Sequence, residues 1–152
     1  MTPRRHLKSI RLLAQCYQAF ERMSGRHVRE LGLTPAQFDI VATLGNTQGM
    51  SFRELGERTL ITKGTLTGVV DRLEERGVLR RTPSPDDGRS TIVRLTPSGE
   101  RLFSTVFLAH VEHNAARFDG WRDADFAALE RELARLLRAL APDNDAQDKG
   151  TP

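Results

Sequence analysis

Small, hydroxyl-bearing and basic residues are concentrated in one short stretch of the sequence. They are Thr62, Lys63, Gly64, Thr65, Thr67 and Gly68, with Arg72 about one helical turn further on. Such side chains donate hydrogen bonds to phosphate oxygens and to base edges, and their small size lets a second surface approach closely. If this stretch begins a helix, the N-terminal end of that helix can enter the major groove of DNA. The competing interpretation is that Thr62 only caps the helix while Gly64 and Gly68 pack closely against a neighbouring element.

A second candidate group surrounds a turn sequence at residues 83–89. Arg80 and Arg81 precede this turn, and Asp86-Asp87-Gly88-Arg89 forms its tip. An Asp-Gly pair between alternating segments is typical of a β-hairpin. A guanidinium on a narrow projection can enter a minor groove. We therefore add Asp87 and Arg89 to the candidate DNA-binding residues, although a solvated polar turn is the alternative.

Capping signals and apolar periodicity predict the elements that hold these two groups. Thr34-Pro35-Ala36-Gln37 begins a helix that runs to about residue 44, and Ser51-Phe52-Arg53-Glu54 begins a shorter one that ends near residue 58. The three residues 59–61 separate that helix from the next, which Gly77 ends. A short helix, a tight turn and a longer helix form a helix-turn-helix pattern. Two short strands, 79–82 and 90–95, follow as a charged hairpin.

The two ends of the chain are predicted to be long amphipathic helices. An apolar stripe marks a first helix from about residue 5 to about residue 30. Thr96-Pro97 opens a later helix, in which one side carries Leu102, Val106, Ala109 and His113, and Gly120 interrupts it. A seam close to a heptad follows and ends before Pro142. These stripes offer more apolar surface than one chain can cover, which predicts a homodimer. Their members are Leu7, Ile10, Leu13, Ala14, Tyr17 and Phe20 in the first, and Phe126, Leu129, Leu133, Leu136, Leu137 and Leu140 in the second.

Length and composition favour one globular domain in the cytoplasm. The 152 residues are 38% hydrophobic and 28% charged, with a net charge of +3. We expect no membrane span, because no apolar run approaches the roughly 20 residues that a bilayer requires, and the start of the chain does not resemble a signal peptide. The first 29 residues hold seven basic residues and one acid. Such a basic end suits a polyanion, but it is equally typical of a solvated helix.

The predicted fold is mainly α-helical with a small β-hairpin wing, that is, a winged helix-turn-helix with terminal dimerisation helices. We expect a single unit over residues 1–141. Within it the winged helix-turn-helix spans about 35–96, and the dimerisation helices span about 5–30 and 97–141. The polar and acidic tail at 142–152 is predicted to be disordered.

The remaining chemically active residues give weaker signals. Cys16 is the one cysteine, and a lone free cysteine is usually a small buried hydrophobe, although redox sensing is the alternative. His110 and His113 lie three residues apart and could share a metal with Glu112, but without a further ligand cluster we expect no metal site. No phosphate-binding glycine loop, nucleophile elbow or zinc-protease pair occurs, so we expect neither catalysis nor a cofactor.

The segment Asp87-Gly88-Arg89-Ser90-Thr91-Ile92-Val93-Arg94-Leu95-Thr96-Pro97-Ser98-Gly99 closely resembles the wing signature of the MarR family of bacterial regulators. The resemblance extends to residues 33–38, 65–67 and 70–77, and it covers the chain from about Ile10 to Leu140. It implies a homodimer that binds a palindromic operator in double-stranded DNA, with the terminal helices at the dimer interface. It also implies that a small ligand or oxidation releases the DNA, and that repression is the commoner mode of action.

An inducer is expected between the dimerisation helices and the DNA-binding part, near Tyr17, Phe20 and Phe38, where it can alter the spacing of the two DNA-binding parts. A winged helix can also serve as a protein-interaction module without binding DNA directly. Arg89 and the small polar start of the helix that begins after Thr62 favour DNA binding over that alternative.

Overall fold

The structure is a computed structural model that describes residues 4–141, so the predicted tail at 142–152 lies outside the described residues. None of the helices within residues 4–141 is both long and apolar enough to cross a membrane. The prediction of a mainly helical chain with a small sheet is confirmed. The helices are α1 (Arg5–Glu30), α2 (Pro35–Leu44), α3 (Phe52–Arg58), α4 (Lys63–Glu75), α5 (Pro97–Ala115), a 3₁₀ turn (Ala116–Phe118) and α6 (Asp123–Leu140), and the strands are β1 (Met50–Ser51), β2 (Leu79–Pro83) and β3 (Thr91–Leu95).

Three of the predicted helix starts are capped as their sequences indicate. Thr34 accepts a hydrogen bond from the Gln37 backbone N–H, and the Gln37 side chain accepts one from the Thr34 N–H, which completes the capping box of α2. Ser51 caps α3 and Thr96 caps α5, each by accepting from the backbone N–H three residues on. These three caps use only residues that are close in sequence, which is why the sequence predicts them.

The sheet is three-stranded, with β3 in the middle and β1 and β2 antiparallel to it at the edges. Leu79 pairs with Leu95 and Pro83 with Thr91, so β2 and β3 form the predicted hairpin with bounds shifted by one residue. The third strand was not predicted, because the two residues of β1 are too few to show alternation. It pairs through Met50 and Ser51 with Val93 and Ile92, and thereby joins the start of α3 to the hairpin.

The chain divides into two compact units, Met1–Ala116 and Arg117–Pro152. The core of the first unit lies where α2, α3, α4 and the sheet meet. The apolar stripe on the N-terminal part of α1 is not in this core, since Leu7, Tyr17 and Phe20 are all more than half exposed in the single chain. Fully buried side chains of the core include Ile40, Leu44, Leu55, Leu66, Leu73, Leu79 and Val93.

The buried side of α5 is rotated slightly from the predicted one. Phe103, Val106 and His110 are buried, whereas the predicted members Leu102, Ala109 and His113 are only partly covered. The close approach of α5 to the root of β2 explains the rotation: Thr96 donates its N–H to the Val78 carbonyl at 3.0 Å, which places the first turn of α5 directly on that backbone.

Gly99 is the residue on which this close approach depends. A Cβ at this position would collide with the Val78 carbonyl oxygen and lie 3.0 Å from its carbon. We expect Gly99→Ala to lower the free energy of unfolding by about 3 kcal/mol, because backbone atoms cannot move aside as a side chain can. Urea denaturation at fixed protein concentration tests this, and an unfolding midpoint equal to that of the wild type would contradict the close packing of α5.

The second unit contains an aromatic cluster and an amphipathic helix. Phe118, Trp121 and Phe126 contact one another with ring centroids 5.3 to 5.4 Å apart. Gly120, at φ 83°, provides the break that was predicted between the two last helices. Along α6 the leucines of the predicted seam remain exposed in the single chain, namely Leu129, Leu133, Leu137 and Leu140.

Candidate nucleic-acid interface

The α4 helix buries one side and exposes the other. Leu66, Val69, Val70 and Leu73 are buried in the core. The predicted DNA-binding residues are exposed, except that Gly68 is of intermediate exposure, and the exposed ones are Thr62, Lys63, Gly64, Thr65, Thr67 and Arg72. This division leaves the N-terminal half of α4 accessible as a surface. It also confirms the order of short helix, turn and longer helix that the capping signals predicted.

The turn between α3 and α4 is fastened at two points. Thr59 is buried and its hydroxyl donates to the Leu55 carbonyl at 2.9 Å, while the backbone N–H of Leu60 donates to Asp39 Oδ2 on α2 at 2.9 Å. Asp39 was not among the residues singled out from the sequence, because nothing local indicates a bond across 21 positions. Its carboxylate connects α2 to the turn that sets the direction of α4.

Gly64 and Gly68 do not pack against a neighbouring element. A Cβ at either position would meet no atom of the described part of the chain within 4 Å. The interpretation that these glycines serve close packing within the chain is therefore wrong. They leave open space along the exposed side of α4, into which a second molecule can fit.

Within residues 4–141 no side chain caps the first turn of α4, unlike the first turns of α2, α3 and α5. The Thr62 hydroxyl donates instead to Thr65 Oγ1 at 3.1 Å, so the predicted capping bond is not made. Among the described residues, the backbone N–H groups of Lys63 and Gly64 have no acceptor. Free N–H groups at a helix N-terminus, together with the helix dipole, bind anions such as phosphate.

The tip of the β2–β3 hairpin presents one arginine. Asp87 Oδ1 accepts the backbone N–H of Arg89 at 3.0 Å, and the Asp87 carbonyl accepts that of Ser90 at 2.9 Å. The Asp87 carboxylate therefore shapes the turn. The Arg89 side chain is exposed and forms no ion pair with any described residue.

Arg81, at the root of the same hairpin, is held within the chain. Its guanidinium lies 2.7 Å from Asp71 and 3.1 Å from Glu74, both on α4, and its backbone N–H donates to Glu74 at 2.8 Å. The hydrogen bonds from Arg81 lower the pKa of Glu74. Of the two arginines that precede the turn, only Arg80 is exposed. Arg81 instead fastens the hairpin to α4, so these two elements are held together.

The predicted ligand residues lie in different surroundings. Tyr17 and Phe20 are exposed on α1, whereas Phe38 is partly buried on α2 and contacts the ring of His110 edge to face, with centroids 4.6 Å apart. No ring contact joins Phe38 to the other two within residues 4–141. An open cleft on α1 is lined by other residues, namely Arg22, Arg26, Arg29 and Glu30.

Cys16 and the histidines also depart from expectation. Cys16 is exposed on α1, so the expectation of a buried cysteine is wrong for the single chain. Between residues 4 and 141, no group of three or more His, Cys, Asp or Glu is arranged to hold a metal ion. His110 and His113 take part in a contact with α1 that the spacing did not suggest.

Replacing Gly68 with alanine should change stability and DNA binding in opposite directions. A new Cβ would meet no atom of residues 4–141 within 4 Å, and alanine in a helix interior is more stable than glycine by about 0.5 to 1 kcal/mol. If the exposed side of α4 faces DNA, the same methyl group would occupy that space, so affinity for duplex DNA should fall. Thermal unfolding and fluorescence anisotropy with a labelled duplex measure the two effects. A variant that is more stable and binds DNA unchanged would show that Gly68 does not face the duplex.

Comparison with known proteins identifies relatives of this chain. A profile of the MarR family matches residues 31–90. The HTH-type transcriptional regulator MhqR of Bacillus subtilis is 30% identical over 104 residues, which are 68% of this chain and 72% of MhqR. The structure of Bordetella bronchiseptica BpsR, a protein in which 6-hydroxynicotinic acid regulates DNA binding, superposes with a TM-score of 0.74 at 26% identity, covering 87% of this chain and 93% of BpsR.

The fold also matches that of a protein bound to DNA. A mutant MarR from E. coli, complexed with operator DNA, superposes with a TM-score of 0.76 at 24% identity, covering 90% of this chain and 99% of MarR. At 24% identity this match shows a shared fold and nothing further. The winged helix-turn-helix, its exposed α4 and hairpin, and the similarity to MhqR agree with one another. The chain belongs to the MarR family of DNA-binding transcriptional regulators.

Proposed function

We propose that this chain is a sequence-specific repressor that binds a palindromic operator as a homodimer and is released by a small-molecule ligand. One observation supports the DNA-binding surface above all. The start of α4 is uncapped, open at both glycines and exposed. Arg81 fastens the later part of the same helix, through Asp71 and Glu74, to the hairpin that presents Arg89. A helix that serves only to pack against the core does not require an exposed, uncapped start with open space beside its glycines. The protein would act in the cytoplasm, where the DNA is.

In this proposal the residues of α4 have separate roles. Thr65 and Thr67 contact base edges or thymine methyl groups, and Thr62 orients the Thr65 hydroxyl through the bond between them. Lys63, Arg72 and the free N–H groups of the first turn contact phosphates. Gly64 and Gly68 allow the close approach. Arg89 enters the minor groove, while Asp87 shapes the turn that carries it.

The proposed dimer is a single regulator unit over residues 1–141, with the winged helix-turn-helix at about 35–96 and dimerisation helices at about 5–30 and 97–141. A two-fold axis would place the two α4 helices in major grooves about 34 Å apart. The exposed leucines of α6 and the exposed apolar stripe of α1 support this, because large apolar patches on a single chain mark association surfaces.

We propose that the inducer binds between the dimerisation helices and the DNA-binding part, near Tyr17, Phe20 and Phe38. The relative BpsR, whose DNA binding responds to a small aromatic acid, supports a ligand of this size. A coupling free energy of about 1 to 3 kcal/mol would lower operator affinity roughly 5- to 150-fold. Substitutions there that alter ligand binding yet leave the effect of the ligand on DNA unchanged would contradict this placement.

A gel-shift assay with the DNA upstream of its own gene, at two salt concentrations, tests the proposed function. The expected result is a discrete complex that outcompetes unrelated duplex and weakens as salt rises. If the protein retards no duplex at low salt, DNA binding is excluded and a winged-helix protein-interaction module becomes the better interpretation.

A further inference from the structure

Three histidine rings meet where α1 and α5 pack together. His27 of α1 lies face to face with His113 of α5, with centroids 3.9 Å apart and planes 2° from parallel. At the edge of the His27 ring, Nδ1 is 2.9 Å from Nδ1 of His110. The Nε2 atom of His110 is 3.0 Å from the Ser24 hydroxyl. We call His27, His110 and His113 the histidine cluster.

His110 is the buried member of this cluster, with 5% of its surface exposed. Each neighbouring element presents a different group to it. Ser24 and His27 face it from α1, Phe38 contacts it from α2, and His113 lies on its own helix. Burial, followed by repulsion from His27 and from His113, lowers the pKa of His110 below the ordinary value.

No described carboxylate compensates a charge in this cluster. None of the three rings forms an ion pair or a hydrogen bond with an Asp or Glu within residues 4–141. Asp39 is the one acidic residue of α2, and its carboxylate is bonded to the Leu60 backbone instead. A proton taken up by the cluster therefore remains an uncompensated, partly buried charge.

The contact between His27 and His110 limits how many protons the cluster can hold. A hydrogen bond between two Nδ1 atoms needs one N–H and one bare nitrogen. A neutral pair satisfies this, and so does a pair that carries one extra proton. When both rings are protonated, two N–H groups face each other at the same point and the bond is lost. Since His27 lies on α1 and His110 on α5, the second proton acts against the packing of these two helices.

A short chain of contacts joins the cluster to the helix-turn-helix. Phe38 rests on His110, and the next residue, Asp39, holds the backbone of Leu60 in the turn before α4. A displacement of α5 against α1 therefore acts on α2, and α2 acts on the direction of α4. Packed elements joined by specific contacts in this way can carry a coupling between distant parts of a protein.

We propose that the histidine cluster is a proton-sensitive contact. While His27 and His110 share at most one extra proton, it stabilises the arrangement that binds DNA, and when both rings are protonated under acidic conditions it weakens that binding. This rests on the proposed function, since it concerns the regulation of the α4 surface. The sign distinguishes it from a general charge effect. Histidines that become positive near DNA would strengthen binding to phosphates at acidic pH, whereas protonation of this cluster weakens binding.

The effect on folding has a definite sign as well. Because the pKa of His110 is lower in the folded protein, the unfolded chain binds more protons as the pH falls below about 6.5, so stability decreases there. The decrease ends below the pKa of the folded protein, where both states are protonated. Above about pH 6.5 both states are neutral at this residue, and its contribution does not change with pH.

Operator affinity should be measured from about pH 8 to about pH 5.5 at constant ionic strength, with EDTA present to exclude metal binding. The proteins are the wild type, His110→Phe and His6→Gln. His110→Phe keeps a ring among aromatic neighbours and removes the titrating group. His6 is exposed on α1 outside the cluster, so His6→Gln is the matched control.

The wild type and His6→Gln should lose about 5-fold or more in affinity towards acidic pH, while His110→Phe should show a flatter profile. Wild-type affinity that is constant or rises at acidic pH would overturn the proposal, as would a full loss retained by His110→Phe. If no duplex binds even at about pH 8, the proposed function itself fails. If the duplex binds with an affinity that does not change with pH, only the proposal about the histidine cluster fails.

A measurement on the wild type alone covers the case in which His110→Phe does not fold. The imidazole resonances of the four histidines can be followed by NMR across the same pH range. The His110 resonances should titrate at a lower pH in the folded protein than in the urea-unfolded chain, because burial lowers the pKa of His110. A His110 midpoint in the folded protein equal to or above that in the unfolded chain would overturn the proposal.

Discussion

Leu133→Glu should convert the proposed dimer into a monomer and abolish operator binding. Leu133 lies on the seam of α6 and is 47% exposed in the single chain, where a glutamate would be harmless. In a two-fold interface the same substitution buries two carboxylates, at a cost of about 3 to 5 kcal/mol for each unpaired charge. The dimer dissociation constant should therefore rise by at least about a thousandfold. Analytical ultracentrifugation gives the mass, and gel shift gives the affinity.

Ala127→Glu is the matched control for this experiment. Ala127 is also exposed on α6 but lies roughly 120° around the helix from Leu133, away from the seam. This variant should remain a dimer and bind DNA as the wild type does. If Leu133→Glu is instead still a dimer with unchanged operator affinity, the seam of α6 is not the interface, and the proposed spacing of the two α4 helices loses its support.

Arg89→Ala and Thr65→Val should weaken DNA binding in two distinguishable ways. Arg89 acts through charge and groove width, so its removal should weaken binding to operator and unrelated duplex alike. The slope of log affinity against log salt should become shallower by about 0.9 for each phosphate contact that is lost. Thr65→Val keeps the shape but loses the hydroxyl that Thr62 orients, so it should cost about 1 to 3 kcal/mol on the operator only.

The chain offers a control for each of these substitutions. Arg101 is an exposed arginine on α5, and Thr105 is an exposed threonine on the same helix. Arg101→Ala and Thr105→Val should bind both duplexes as the wild type does. If Arg89→Ala does so as well, with an unchanged salt slope, the hairpin is not a DNA-binding wing, and the protein-interaction alternative is favoured.

Local signals in the sequence predicted most of the architecture. Thr34, Ser51 and Thr96 identified three helix starts, since a cap involves only residues three positions apart. Gly77 identified the end of α4: its φ is 73°, and Val78 donates its N–H to the Leu73 carbonyl at 3.0 Å in the arrangement typical of a glycine C-cap. The Asp-Gly turn identified the hairpin. Each of these features depends on neighbours along the chain.

Distant contacts could not be predicted in the same way. The sequence places Arg81 beside Arg80 as a second cation, yet the fold pairs Arg81 with Asp71 and Glu74 on another element. Asp39 gives no local sign that it holds the turn before α4. His27 and His110 are separated by 83 positions and meet only because α1 packs on α5.

The sequence by itself determined that a helix with a small, hydroxyl-bearing start precedes a basic hairpin, and that the terminal helices each have an apolar side. Only the tertiary structure decided whether Gly64 and Gly68 allow close packing within the chain or leave open space beside α4. The space beside a glycine depends on what the rest of the chain places there. The tertiary structure likewise decided that Arg81 is paired, whereas Arg89 forms no ion pair within residues 4–141. Local backbone conformation follows largely from residues that are close in sequence. Whether a side chain is exposed or paired is set by elements that are remote in sequence and adjacent in space.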